Sequence, residues 1–502
     1  MELLGDIGLG LSVVLTPLNL GWCLIGVLLG TLIGVLPGLG PAATIAMLLP
    51  VTFGLPAVSS LIMLAGIYYG AQYGGSTTAI LINLPGETSS VVTALDGYQM
   101  ARKGRAGAAL ATAAIGSFFA GTIATALVAF LAPPLAAVAL RFGAAEYFAL
   151  MVLGLVASVA LARGSVLKAV AMVVLGLLLG TVGTDVNSGE QRFTFGIPEL
   201  AEGINFVALA MGMFGIAEIL TNLDHEATRT PLTRVIGSLL PSRAEMRRIV
   251  GPILRGTGLG SLLGILPGGG AVLAAFAAYA LEKKISRTPS EFGKGAIEGV
   301  AAPEAANNAG AQTSFIPMLT LGIPSNPVMA LMVGALTIQG IQPGPQVMTE
   351  QPELFWGVIA SMWIGNLFLI VLNLPLIGLW VRLLTIPYRL LYPAILVFCC
   401  VGVLSLNNLP SDVFVMILFG LVGYVLVRLD CEPAPLLLGF ILGPMMEEYL
   451  RRALILARGD MTTFLTRPIS LALLLLTLAI IVVLTLPAIR AKREEAFEET
   501  PA

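Results

Sequence analysis

Two stretches of this chain nearly repeat each other 230 positions apart, and both are interrupted apolar segments. The first is GTLIGVLPGLG, from Gly30 to Gly40, and the second is GSLLGILPGGG, from Gly260 to Gly270. Seven of the eleven positions are identical, and three of the other four are close substitutions. So close a match predicts that the chain contains an internal duplication.

The repeated motif places a Pro-Gly-x-Gly break inside an apolar run. Such a break frees backbone N–H and C=O groups that lipid cannot satisfy, so it is tolerated only against protein or a water-lined cavity. Paired interrupted segments in corresponding positions of two halves indicate the binding site of a secondary transporter. The alternative for a single motif is an ordinary Pro-kinked membrane helix, and the duplication favours the transporter.

Composition predicts a membrane protein without catalytic or metal-binding clusters. Of the 502 residues, 57% are hydrophobic and 11% are charged, against about 25% charged in soluble proteins. The net charge of −2 gives no indication of nucleic-acid binding. The single histidine, His225, and the four cysteines lack the spacing of metal ligands. We therefore expect no enzyme activity and no transition metal, and we expect an unprocessed N-terminus because MELLGDIGLG lacks a basic region.

The charge pattern predicts opposite orientations for the two interrupted segments. Lys and Arg mark cytoplasmic loops, and basic clusters flank the segment 256–281 on both sides. This segment is therefore predicted to be a re-entrant hairpin that opens to the cytoplasm, with its tip at 267–270. The first copy follows an acidic N-terminus and precedes an uncharged loop, so its hairpin, with the tip at 37–40, is predicted to open outward.

Five crossings are predicted after each hairpin, and an odd number inverts the second copy. They fall at about 59–100, 106–134, 144–162, 166–184 and 204–222 in the first half, and at about 296–345, 356–381, 388–407, 412–428 and 434–450 in the second. The predicted fold is an all-α polytopic membrane protein of two inverted-topology repeats. Its parts are repeat 1 (1–225), a basic cytoplasmic linker (226–255), repeat 2 (256–465), and a C-terminal helix with a cytoplasmic tail (466–502). The count places Arg451, Arg452 and Arg458 outside, against the charge rule.

Each half also carries a Gly-Ala-Gln segment, at 70–72 and 310–312, followed by small hydroxyl residues and a proline. We expect the polar side chains of both halves to face one cavity beside the hairpin tips, although any single hydroxyl could instead serve helix packing. The candidate substrate-binding residues are Pro37, Gly38, Gly40, Ser76, Thr77, Thr78, Asn83, Pro267, Gly268, Gly269, Gly270, Thr313, Ser314, Ser325 and Asn326.

Ionisable residues near the breaks are candidates for ion coupling, because a charge at membrane depth is costly. These candidates, with the neighbouring amides, are Gln72, Glu87, Glu304, Asn307, Asn308 and Gln312. The alternative is that both glutamates are solvated in the head-group region. The apolar runs near the breaks hold no Lys or Arg, so a bound anion would be held by helix N-termini together with Na⁺ or H⁺. We expect Na⁺, if used, at the hairpin tips, and no other cofactor.

Five longer motifs cover much of the chain: GVLPGLGP (34–41), YGGSTTAILINLPGE (73–87), DGYQMARKGRAGAAL (96–110), GILPGGG (264–270) and EGVAAPEAANNAGAQTSFIPMLTLGIPSNP (298–327). Together they resemble the large membrane subunit of the tripartite tricarboxylate transporters, the TctA type. The resemblance implies a bacterial inner-membrane carrier that imports citrate or a related carboxylate by Na⁺ or H⁺ symport with alternating access. It also implies two partners, a small four-helix membrane subunit (TctB type) and a periplasmic substrate-binding protein (TctC type).

Two other function classes stay open at this point. An anion channel would conduct without ion coupling. A membrane-embedded enzyme could use Glu87 and Glu304 as an acid/base pair, but it would need a nucleophile or a metal cluster that the sequence lacks. For a carrier, an elevator-like slide of the hairpin-bearing unit is one hypothesis for alternating access, and a rocking motion is the other.

Overall fold

The computed structural model describes residues 2–36, 40–84, 86–162, 165–185, 188–224, 241–266, 270–383 and 388–485. Both hairpin tips therefore lie largely outside the described residues, as do five candidate residues, Pro37, Gly38, Pro267, Gly268 and Gly269. The described parts of the chain are almost entirely helical, with one pair of two-residue antiparallel strands, β1 (Gly183–Thr184) and β2 (Gln191–Arg192).

The helices of the first half are α1 (Glu2–Val14), α2 (Pro17–Val35), α3 (Pro41–Phe53), α4 (Ala57–Ile82), α5 (Val91–Arg102), α6 (Ala106–Ala139), α7 (Ala144–Leu161), α8 (Val166–Gly180), α9 (Phe206–Ala210) and α10 (Ala217–Asp224). A π-helical stretch, Met211–Ile216, joins α9 to α10.

The helices of the second half are α11 (Arg243–Gly264), α12 (Gly270–Ile285), α13 (Glu298–Thr313), α14 (Phe315–Leu321), α15 (Pro327–Ile338), α16 (Gln346–Glu350), α17 (Pro352–Asn373), α18 (Ile377–Leu383), α19 (Tyr388–Asn407), α20 (Pro410–Arg428), α21 (Pro433–Leu456), α22 (Thr463–Thr466) and α23 (Pro468–Thr485).

Length and composition mark many of these helices as membrane-spanning. Five described helical segments are long and apolar enough to cross a bilayer: 17–35, 106–139, 206–223, 352–373 and 410–428. Several shorter apolar helices accompany them. The prediction of an all-α polytopic membrane protein is confirmed, whereas the inversion of the second repeat stays a prediction.

Both interrupted segments have the predicted break between two helices. In the first, α2 ends at Val35 and α3 begins at Pro41, where a proline fits because the first helical N–H has no partner within the helix. In the second, α11 ends at Gly264 and α12 begins at Gly270. In each case the two helices contact each other.

The duplication is also visible in the packing of each hairpin. Three glycines of α2, four residues apart on one face, lie directly against the backbone of α4, and three glycines of α11 lie in the same way against α13. A Cβ at any of these positions would overlap the opposite backbone. Such stripes of small residues let membrane helices approach closely. The glycines are Gly26, Gly30 and Gly34 in the first half, and Gly256, Gly260 and Gly264 in the second.

The first crossing of each half is interrupted, where the sequence predicts one continuous segment. Helix α4 ends at Ile82, its C-cap residue Asn83 has a φ of 59°, and α5 begins only at Val91. In the second half, α14 ends at Leu321, its C-cap residue Gly322 has a φ of 71°, and α15 begins at Pro327. The interruptions contain Pro85 and Pro324, each of which lacks the N–H that a helix interior requires.

Contacts at the end of α21 bear on the arginines that conflict with the charge rule. Arg451 lies 2.9 Å from Asp185 and 2.6 Å from Glu447, and Glu447 also pairs with Arg192 at 3.0 Å. Residues 447–451 therefore lie on the same side of the membrane as the loop 185–202. That loop holds one basic and four acidic residues, so the charge rule predicts that it faces outward, in agreement with the crossing count.

We predict that Gly260→Ala destabilises the protein by about 1–3 kcal/mol, because the new methyl group overlaps the Ala306 backbone. Gly258→Ala is the matched control on the same helix, since nothing lies within 4 Å of its Cβ position. Thermal unfolding of the purified variants in detergent measures the difference. Equal unfolding temperatures would contradict the close packing of α11 on α13.

The inverted topology predicts opposite accessibility for the ends of α3 and α12. In a variant with the four native cysteines replaced by alanine, Gly54→Cys is expected to react with a membrane-impermeant thiol reagent added outside sealed right-side-out membrane vesicles. Thr288→Cys is expected to react only after detergent opens the vesicles. Both positions are exposed in the structure. Labelling of both from the same side would show that the hairpins are not inverted.

Candidate functional site

Glu304 is the centre of a buried polar cluster between the two halves. It lies on α13 with no exposed surface, and three hydroxyls from three helices of the first half surround its carboxylate. Ser76 on α4 lies at 2.7 Å and Ser117 on α6 at 3.4 Å, while Thr93 on α5 also donates to it. A carboxylate that accepts several hydrogen bonds is stabilised in its charged form.

Glu87 forms a second buried cluster, in the segment that follows α4. Its side chain packs against Gly75, where a Cβ would collide with it. Asn307 donates to Glu87 Oε1 at 3.0 Å, and the hydroxyl of Ser89 also donates to this oxygen. Ser89 Oγ lies 3.1 Å from Gln72 Oε1, which brings α4 into the same cluster.

One turn of α13 joins the two clusters. Residues three and four apart share a helix face, so Asn307 and Asn308 lie one turn beyond Glu304. Asn308 Nδ2 donates to Ser117 Oγ at 2.7 Å, on the Glu304 side. Asn307 donates on the Glu87 side. The structure therefore brings together Gln72, Glu87, Glu304, Asn307 and Asn308, and their role in ion coupling stays a prediction.

The cluster has an excess of oxygen atoms over donors. Three buried amide oxygens, Asn307 Oδ1, Asn308 Oδ1 and Gln312 Oε1, have no hydrogen-bond partner among the described residues. No Lys, Arg or His in the described part of the chain pairs with Glu87 or Glu304. Their exposed fractions are 8% and 0%, so the alternative of two solvated head-group carboxylates is wrong. The arrangement suits a ligand that brings positive charge or donors.

A third group of polar side chains lies beside the start of α12, the second helix of the second hairpin. Asn326 accepts from Met329 N at 3.0 Å, capping α15, and its Nδ2 lies 3.4 Å from the Tyr68 hydroxyl. The Tyr68 hydroxyl also contacts Gln72 and Ser314. Gly270, the first residue of α12, lies beside Asn326. Tyr68 therefore links this group to Gln72 and the buried carboxylates.

At the first hairpin, side chains satisfy the backbone on both sides of the break. Thr78 Oγ1 donates to Val35 O at 2.9 Å, at the end of α2. Gly40 N, which precedes α3, donates to Glu218 Oε1 at 3.1 Å. Glu218 lies on α10, in the last membrane crossing of the first half.

The candidate hydroxyl and amide residues do not all surround one cavity. Ser76 and Thr77 line a cavity with Glu304. Thr313 Oγ1 donates to its own helix at Ala309 O and lies against Gly264. Ser314 and Ser325 donate to backbone carbonyls. Asn83 is exposed at the end of α4. Their roles in substrate binding stay predictions.

Sequence reasoning missed several residues of these clusters. Tyr68, Ser89, Thr93, Ser117 and Glu218 are among them. Glu218 carried a readable signal, because it is a carboxylate inside a predicted crossing. The hydroxyl residues carried none, since Ser and Thr are common in membrane helices and usually bond the carbonyls of their own helix.

Comparison with known proteins assigns the chain to a family. The model of the tripartite tricarboxylate transporter TctA family matches residues 20–438. An uncharacterized 52.8 kDa protein in the TAR-I ttuC' 3'region of Agrobacterium vitis is 65% identical over 499 residues, which is 99% of each chain. An uncharacterized protein in the TAR-II ttuC' 3'region of the same organism is 65% identical over 240 residues, 48% of this chain and 99% of its own length. No solved structure matches. The chain belongs to the tripartite tricarboxylate transporter TctA family.

Proposed function

We propose that the chain is the large transmembrane subunit of a binding-protein-dependent secondary transporter in a bacterial inner membrane. It imports citrate or a related di- or tricarboxylate by symport with Na⁺ or H⁺. It works with a small four-helix membrane subunit and a periplasmic substrate-binding protein, of the TctB and TctC types. Family membership supports the transporter class, and the substrate, ion and partners are the proposal.

The observation that carries the proposal is the buried carboxylate cluster beside the interrupted hairpins. A buried charge without a partner is strongly unfavourable, and Glu87 and Glu304 pair with no described cation. Binding of Na⁺ or H⁺ removes this imbalance, and its release restores it. The relative free energies of the protein's conformations therefore depend on whether the ion is bound.

The substrate carboxylates bind at the helix ends that the breaks create. Helices α3 and α12 begin at the two breaks and have 13 and 16 residues. Their N-termini carry a partial positive charge, and the N–H groups of their first turns favour anions, apart from that of Gly40, which donates to Glu218. Asn326 lies beside Gly270 at the start of α12, and its amide and the Tyr68 hydroxyl that it contacts can donate to the same anion. The carboxylate is thus held without an arginine.

The carrier predicts uphill uptake that needs three proteins. This chain and its small subunit would be reconstituted into proteoliposomes, with the binding protein added outside. Uptake of labelled citrate and of a panel of other carboxylates would then be measured under an imposed Na⁺ or pH gradient. We expect accumulation above the external concentration only when all three proteins and one ion gradient are present. Uptake that stops at equal concentrations would instead indicate a channel.

Replacement of the Glu87 carboxylate is predicted to uncouple transport from the ion. Glu87→Gln keeps the size of the side chain and an oxygen for Asn307 but removes one of the two negative charges that the coupling ion offsets in the cluster. We expect at least a tenfold lower accumulation ratio in the same proteoliposomes. Glu353→Gln, at an exposed position of α17, is the control and should change the ratio less than twofold. Unchanged accumulation in a folded Glu87→Gln protein would remove Glu87 from the coupling site.

A further inference from the structure

A small cavity lies against Glu304, and the residues that line it do not belong to the hairpin tips at 37–40 and 267–270. Its polar lining comes from Tyr73, Ser76 and Thr77 on α4, Ser117 on α6, Glu304 on α13 and Asn373 at the end of α17. The volume open to the centre of a water-sized sphere is about 10 Å³, which is room for about one water molecule or a small ion. The cavity is formed by both halves of the chain, with α4 and α6 from the first and α13 and α17 from the second.

Asn373, which lines this cavity, has an unsatisfied side-chain oxygen. The residue is 5% exposed, and its Nδ2 donates to Leu369 O at 2.9 Å. Its Oδ1 is buried and has no hydrogen-bond partner among the described residues. Buried polar atoms are nearly always satisfied, so such an oxygen indicates a bound water or ion.

The charge of Glu304 decides between these two occupants. A water molecule can donate to Asn373 Oδ1, but Glu304 then still needs a proton to neutralise its charge. A cation satisfies both groups at once. Among the described residues that line the cavity, Glu304 is the only acidic one, so a single positive charge balances it. The remaining ligands are hydroxyl and amide oxygens, which suit a hard cation.

We propose that this cavity is a binding site for one Na⁺ ion, coordinated by Glu304 and by the oxygen of Asn373, with hydroxyls of Ser76, Thr77 and Ser117 around it. The inference deepens the proposed function, because it gives the coupling ion a site at the interface of the two halves rather than at the hairpin tips. Occupancy of the site then favours one packing of α13 and α17 against α4 and α6.

Direct binding of ²²Na⁺ to the purified protein tests the site without any carboxylate present. We expect saturable binding to the wild-type chain that unlabelled Na⁺ displaces and choline does not. Asn373→Leu removes the oxygen while keeping the size, and it should raise the half-saturating Na⁺ concentration at least tenfold. Thr77→Val tests a second ligand with a smaller change in shape. Asn373→Asp keeps an oxygen ligand and should retain binding.

Gln351→Leu is the matched control. It removes an exposed amide directly before α17, at the opposite end of this helix from Asn373. It should bind Na⁺ like the wild type. Thermal unfolding with and without Na⁺ gives a second readout, since a ligand stabilises the state that binds it. We expect Na⁺ to raise the unfolding temperature of the wild type and of Gln351→Leu, but not that of Asn373→Leu.

Two results would overturn the site: no saturable Na⁺ binding by the wild type, or wild-type affinity in both Asn373→Leu and Thr77→Val. Either result leaves the carrier itself standing if uphill carboxylate uptake is driven by a pH gradient. Conversely, Na⁺ binding that depends on Asn373 supports the site even where no tested carboxylate is transported. The two proposals therefore fail separately.

Discussion

Backbone groups freed by a broken helix inside a bilayer must find partners within the protein, and the architecture depends on this constraint. At the first hairpin, the Thr78 hydroxyl donates a hydrogen bond to a carbonyl at the end of α2, and Glu218 accepts one from the N–H of Gly40. These partners come from α4 and α10, so the break is held by two other membrane helices. The break is stable in a bilayer because the surrounding helices place polar side chains within hydrogen-bond distance of its backbone.

Close helix packing makes that placement possible. The glycine stripes of α2 and α11 bring these helices against the backbones of α4 and α13, the two helices that carry Ser76 and Glu304. Longer side chains on α2 and α11 would push α4 and α13 away from the breaks. The same repeat that is visible as a sequence motif thus positions the buried carboxylates, and both halves contribute ligands to one cluster.

The sequence predicted the parts of the structure that depend on local chemistry. Apolar length and the Pro-Gly breaks predicted the helices and the interruptions, and the cost of a charge in lipid marked Glu87 and Glu304. It did not predict the split of the first crossing in each half, although Pro85 and Pro324 were visible, because prolines also occur in kinked but continuous helices. Nor did it predict Thr93, Ser117 and Asn373, whose roles arise only from the packing of α5, α6 and α17 around Glu304.

The central claim is that a carboxylate at the hairpin breaks and a cation beside Glu304 occupy two separate but coupled sites. A cryo-electron microscopy map of the complex in lipid nanodiscs, with citrate and Na⁺, tests it most directly. The account predicts anion density within hydrogen-bond distance of the N-termini of α3 and α12, and a separate density between Glu304 and Asn373 that disappears when choline replaces Na⁺. Anion density remote from both helix ends, with no ion-dependent density beside Glu304, would contradict it.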